Sequence, residues 1–338
     1  MSIYSIVRAH ATKIKLLTRE DYKKLAKAED ARTLIRLLRD TAYGDVIEKL
    51  PTEEPDYDVF KRVLYEKYLN LYKTLEMGVS EDYRSFLREY ILGKLELENI
   101  RYSIRMIITN RRITVRNILP VRVYISPSSL VKVKNLRMLI TLLERAYPSV
   151  KRAYTLYRKL MIPDILECSI EADYYDRVEK EISRRDLDLE GKLLDEEKGL
   201  RWLKWAINFK LRGNLKPEDY LPLLNRFSST LSSKLTPSII GVDVGTLVRE
   251  ISSIRKYRSL SLTLGSLISR REYMLIDVVL ASVLHKVLKE YIVKEPLNVV
   301  YVTSILLLVE IEVRNILTIY LSKKVGLDWR EILPYLIV

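Results

Sequence analysis

Apolar residues recur at spacings of three and four over most of this chain, the mark of helices that bury one face. Within residues 19–50, Tyr22, Leu25, Ala28, Ala31, Leu34, Leu37 and Leu38 keep that rhythm. Thr18, three positions before Asp21, has the chemistry of a capped helix start, a hydroxyl for the first turn and a carboxylate to reach back. The spacing also predicts helices over 56–72, 82–109 and 272–294, and over 129–161 with a break at Pro148. Period-two alternation is confined to short pieces such as ITVRN and VRVYIS. The pattern implies an all-α fold.

Three stretches of the pattern line up with one another. They are GKLELENIRYSIRMIITNRRITVRNILP from Gly93, GKLLDEEKGLRWLKWAINFKLRGNLKPEDYLP from Gly191 and LLLVEIEVRNILTIYLSKKVGLDWREILP from Leu306. In each, a glutamate precedes an amide or small residue by three: Glu96 and Asn99, Glu196 and Gly199, Glu312 and Asn315. Each breaks near Asn110, Gly213 or Gly326 and closes on Ile118-Leu119-Pro120, Tyr220-Leu221-Pro222 or Ile332-Leu333-Pro334. The shared order implies an internal triplication, with related helical domains over 1–120, 121–222 and 223–338.

The three glutamates sit on the inward stripe of their helices, with Asn99 and Asn315 beside two of them. A carboxylate placed there needs hydrogen-bonding partners. Arg8, Arg32 and Arg36 are candidates, and the expected role is to anchor a neighbouring helix. In VEIEVRNIL, Glu310 and Arg314 fall four apart on another face and are expected to pair. Glu310 and Glu312 are two apart and point in different directions, which excludes a glycosidase-type carboxylate pair. Lys198 and Gly199 depart from the pattern, so the polar anchor of the middle stretch is expected to be altered. No catalytic residue, cofactor site or metal site is expected. His10 and His285 are the only histidines and Cys168 the only cysteine, too few for most zinc chemistry. GVDVGT, from Gly241, reads as a turn that starts a helix near Thr246.

Composition agrees. The 338 residues are 48% hydrophobic and 30% charged, with only 10 Gly and 11 Pro, which favours long helices over a turn-rich β fold. No apolar run approaches the roughly 20 residues of a membrane span, and no signal peptide is read in the first 15 residues.

The net charge of +14 is unevenly placed. Residues 101–159 hold 14 Lys and Arg against one acid, and 164–198 hold 13 acids against six bases. A further basic block follows over 201–272, with 13 bases against five acids. Such blocks meet charged partners, or each other. Arg101, Arg105, Arg111, Arg112, Arg116 and Arg122 form the candidate partner-binding patch.

At this point the residues resemble a known family. YSIVRAHATKIKLLTREDYKKLAKAEDARTLIRLLRDTAYGDVI is similar to the opening of the C subunits of archaeal A-type and V-type ATP synthases, relatives of the d subunit of vacuolar ATPases. LELENIRYSIRMI and VEIEVRNILTIYLSKKVGLDWREIL resemble that family's Glu-x-x-Asn helices, and IEADYYDRV its segment between repeats. The resemblance spans nearly the whole chain. It implies a funnel-shaped protein of three helical domains around a pseudo-threefold axis, without catalysis or cofactor. Such a protein stands between the axle subunits D and F and the membrane proteolipid ring, peripheral to the cytoplasmic face of the membrane, with no nucleic acid or small-molecule substrate. The alternative from another class is a basic helical nucleic-acid-binding protein, and a carboxylate-dependent hydrolase is a distant third.

Overall fold

The computed structural model describes residues 3–52, 54–212, 215–239 and 242–338, and every regular element among them is helical. Two compact units divide the chain. One joins residues up to Leu87 with His285–Val338, and the other holds Arg88–Leu284.

The first unit opens with α1 (Ile3–Ile14), α2 (Arg19–Ala26), α3 (Ala31–Arg39), α4 (Gly44–Ile47), α5 (Tyr57–Glu76) and α6 (Glu81–Leu87). Thr18 and Asp21 form the expected capping box at the start of α2, and Asp30 caps α3 by accepting from the Thr33 N–H. Of the apolar positions read from the sequence, Tyr22, Leu25, Ala28, Ala31, Leu34 and Leu38 are buried, and Leu37 is half-buried.

The second unit contains α7 (Gly93–Ile108), entered through a π-helical turn at Arg88–Leu92. Then come α8 (Pro127–Val131), α9 (Leu136–Leu143), α10 (Val150–Leu160), α11 (Pro163–Arg185), α12 (Asp188–Leu211), α13 (Pro217–Leu224), α14 (Thr230–Ile239), α15 (Val244–Ile251) and α16 (Arg258–Arg270). The chain breaks near Pro148 as expected, and a second time before α9, which Asn135 caps. Helices α11 and α12 form the centre, with α7, α10 and α13 packed on α11 and α14 on α12. Tyr174, Tyr175, Trp202 and Trp205 fill the space between. At the start of α15, Asp243 accepts from the Thr246 N–H, which makes GVDVGT a helix start; its Gly241 lies outside the described residues.

The division falls within α17 (Ile276–Lys294), after which α18 (Val299–Lys324) and α19 (Trp329–Ile332) return to the first unit. Helix α18 is buried along nearly its whole length, against α1, α3 and α5. A helix enclosed in this way loses the one-sided apolar pattern. VEIEVRNIL is therefore the middle of a core helix.

Helices α7 and α18 end alike. Asn110 (φ 55°) and Gly326 (φ 79°) take the left-handed conformation. The next N–H groups, of Arg111 and Leu327, donate back to Met106 O (2.7 Å) and Ser322 O (3.0 Å). This is the Schellman closure, which needs a residue tolerant of positive φ. The third expected break, Gly213, lies outside the described residues.

Candidate functional site

Glu96 is fully buried on α7. Its Oε2 accepts three successive backbone N–H groups, from Val123 (2.7 Å), Tyr124 (2.8 Å) and Ile125 (2.9 Å). Its Oε1 accepts from the Tyr147 hydroxyl at 3.2 Å. These backbone donors belong to the strand-like VRVYIS, which has no sheet to join, so the carboxylate takes the place of a neighbouring strand. Three residues on, Asn99 uses both ends of its amide on one residue. Its Nδ2 donates to Leu119 O (3.0 Å) and its Oδ1 accepts from the Leu119 N–H (2.8 Å).

Helix α18 repeats the arrangement. Glu312 accepts from the Leu17 N–H (2.5 Å) and the Tyr43 hydroxyl (2.8 Å). Asn315 clips Ile337 as Asn99 clips Leu119, donating to its carbonyl (2.7 Å) and accepting from its N–H (2.9 Å). The donors are backbone N–H groups and phenols rather than the arginines expected. Burial pushes the Glu312 carboxyl up to about 7, and the Leu17 and Tyr43 bonds offset only part of that rise. Glu310 is also buried on α18 whereas Arg314 is exposed, so the two lie in different surroundings.

In the middle stretch Glu196 is only partly buried and accepts from the Tyr257 hydroxyl (2.5 Å) and from Lys256. Its neighbour Glu197, which the sequence pattern did not single out, is the fully buried carboxylate. It takes Lys94 Nζ (2.6 Å) and the Tyr90 hydroxyl (2.5 Å). Lys94, on the inward side of α7, was the available signal, since a buried ammonium implies a buried acid. Lys198 is likewise buried, with its ammonium on Glu179. At Gly199, three residues after Glu196, a larger side chain has no room. A Cβ there would lie 2.9 Å from the Leu231 Cβ and 3.2 Å from Ser229 Oγ, at the point where α14 crosses α12.

The three glutamates thus share one kind of partner. Glu96 meets Tyr147, Glu196 meets Tyr257 and Glu312 meets Tyr43. The first two bonds lie within the second unit and the third within the first.

The basic block resolves into two populations. Arg101 is buried, with its guanidinium 2.7 Å from Glu171 and 3.0 Å from Glu98. It is therefore part of the core and not of a docking patch. Arg105 makes a two-pronged bond to Glu167, both arms at 2.9 Å. The acidic block supplies Glu167 and Glu171, so the two blocks meet at Arg101 and Arg105 inside the second unit. Burial acts to raise Glu171, but Arg101, Arg201 and Lys204 outweigh it and hold the carboxyl at about 2. Arg111, Arg112, Arg116 and Arg122 are exposed around the closing segment of α7.

Among the described residues no cluster of His, Cys, Asp or Glu suits a metal ion, and no helix is long and apolar enough to cross a membrane. No curated protein matches the chain. The family model described as ATP synthase (C/AC39) subunit matches residues 5–335. With the buried Glu-x-x-Asn helices in place and nearly every residue matched, the chain belongs to the ATP synthase C/AC39 family, the C subunits of A/V-type ATP synthases.

Proposed function

We propose that this chain is the non-catalytic coupling collar of the central stalk. It joins the axle subunits D and F to the membrane proteolipid ring at the cytoplasmic face, so that ion flow and axle rotation are linked. The series of glutamate–tyrosine bonds is the observation that carries this reading. Each bond ties segments that are distant in the chain within one compact unit, and a torque-bearing part must resist slip between its helices. Close-packed helices supply stiffness, and buried directional bonds fix the register that apolar packing leaves loose.

The role is tested in membranes from cells that lack the chain. ATP hydrolysis by the catalytic head persists while ATP-driven ion pumping is lost, and adding back the chain restores pumping. Pumping that continues without the chain overturns the reading.

A further inference from the structure

Helix α1 is built inside out. Its buried positions are small, Ser5 and Ala9, and its large apolar residues face solvent: Ile3 is 80% exposed, Val7 58% and Ile14 84%. At 100° per residue, Ile3, Val7, Ala11 and Ile14 form one stripe. The helix is firmly placed. Ser5 Oγ donates to Leu75 O (2.8 Å), and the His10 ring lies 4.5 Å from that of Tyr301, with a 2.9 Å bond between His10 Nδ1 and the Tyr301 hydroxyl. The small buried residues let α1 lie close on α5 and α18. A contiguous apolar face held outward in this way marks an interaction surface.

Beside the stripe lies a recess of about 470 Å³ within the first unit, lined by α1, α4, α5 and α18, with Tyr43, Tyr68 and the buried, tyrosine-bonded Glu312 deep in its lining and the basic side chains around its rim. Arg8, Lys15 and Lys49 stand around it with no acidic partner among the described residues, while Lys67 is already taken by Asp45. The Tyr68 hydroxyl is buried there with no hydrogen-bond partner among the described residues.

We propose that α1 and this recess dock an acidic amphipathic helix from another part of the ATP synthase. The apolar edge of that helix lies along Ile3, Val7, Ala11 and Ile14, and its carboxylates meet Arg8, Lys15 and Lys49. The charge of the rim selects an acidic partner, and apolar anchors beside a groove suit a helix. A bilayer surface is flat and leaves the recess empty. The proposal rests on the chain's place in the coupled complex.

The test places p-benzoylphenylalanine at Val7, or at Lys49, in the assembled complex, followed by irradiation and mass spectrometry. Both positions are expected to cross-link to one and the same Asp/Glu-rich peptide of another chain. Combining Arg8→Glu and Lys15→Glu with the Val7 probe should reduce the yield about tenfold, with the melting curve unchanged because both side chains are exposed. Cross-links to lipid, to a basic peptide or to nothing, in a complex that still co-purifies, overturn the docking site and leave the coupling role standing. Sedimentation of the chain with phosphatidylcholine–phosphatidylglycerol vesicles, lost on Ile14→Asp, overturns it in favour of a membrane contact. If the wild-type chain fails to co-purify with the complex, the coupling role falls and the docking proposal with it.

Discussion

The Tyr43 hydroxyl donates to Glu312 Oε1 at 2.8 Å, joining residues 269 positions apart in the chain. Among the described residues Glu312 has one further donor, the Leu17 N–H, where Glu96 has three backbone N–H groups besides its tyrosine. The two anchors are alike in layout and unequal in strength, and the first two predictions follow from that inequality.

Glu312 gives the fold a pH dependence. Its carboxyl titrates at about 7 in the folded chain, against the ordinary 4.5, because burial disfavours the charge. Between these values the folded chain holds a proton that the unfolded chain has released. Stability therefore falls as pH rises through this window and levels off above it, by about 3 kcal/mol in all. Urea unfolding of Glu312→Gln from pH 4 to 8 should lack this term and show greater stability than the parent at pH 8. A parallel decline in both proteins refutes the assignment.

Removing the tyrosine hydroxyls should give graded losses. Tyr43→Phe leaves buried Glu312 with one donor among the described residues and should cost about 1–3 kcal/mol. Tyr147→Phe costs less, since Glu96 keeps three donors. Tyr257→Phe costs least, because Glu196 is partly solvated and holds Lys256. The order of the denaturation midpoints is the check.

Asn99 and Asn315 each close two backbone bonds, so Asn99→Ala or Asn315→Ala should lower stability by about 2–4 kcal/mol. Asn315→Asp does not rescue, since a carboxylate offers no donor to the Ile337 carbonyl. An unchanged melting temperature in both alanine variants overturns their role as clips.

At Gly199 the expected loss is steric. The added methyl of Gly199→Ala meets the Leu231 Cβ, near the backbone where little can yield, and should cost about 1–3 kcal/mol despite the better helix propensity of alanine. Full stability of the variant means that α14 shifts away freely.

Arg111 and Arg112 are the exposed remainder of the basic patch. Reversing both to glutamate should weaken assembly of the complex at moderate salt, with little difference at high salt. Assembly indifferent to both reversal and salt removes the patch from consideration.

The anchors on α7 and α18 were legible because a carboxylate on an apolar stripe is conspicuous, and the amide three residues later completes a recognisable pair. Glu197 was hidden because α12 is buried on several sides and its apolar residues form no single stripe. Arg101 was misplaced because counting charges along a segment says nothing of faces. Its position, four after Leu97 and three before Ile104, places it inward. The π-helical turn at Arg88–Leu92 left no mark in the spacing, and the second break, before α9, is marked only by the single cap residue Asn135.

The first unit is discontinuous in the chain, and this bears on its birth at the ribosome. Helices α1 to α5 are synthesised before residues 88–284, whereas the core helix that seals them, α18, follows those residues. At ordinary elongation rates the interval is about 10–40 s. During it the early helices carry Leu34, Leu38, Phe60 and Leu64 without the surface that later covers them. Tyr43 waits for its carboxylate through the same interval. Completion of this half is a late, long-range event, and the nascent chain needs protection from aggregation until α18 has emerged.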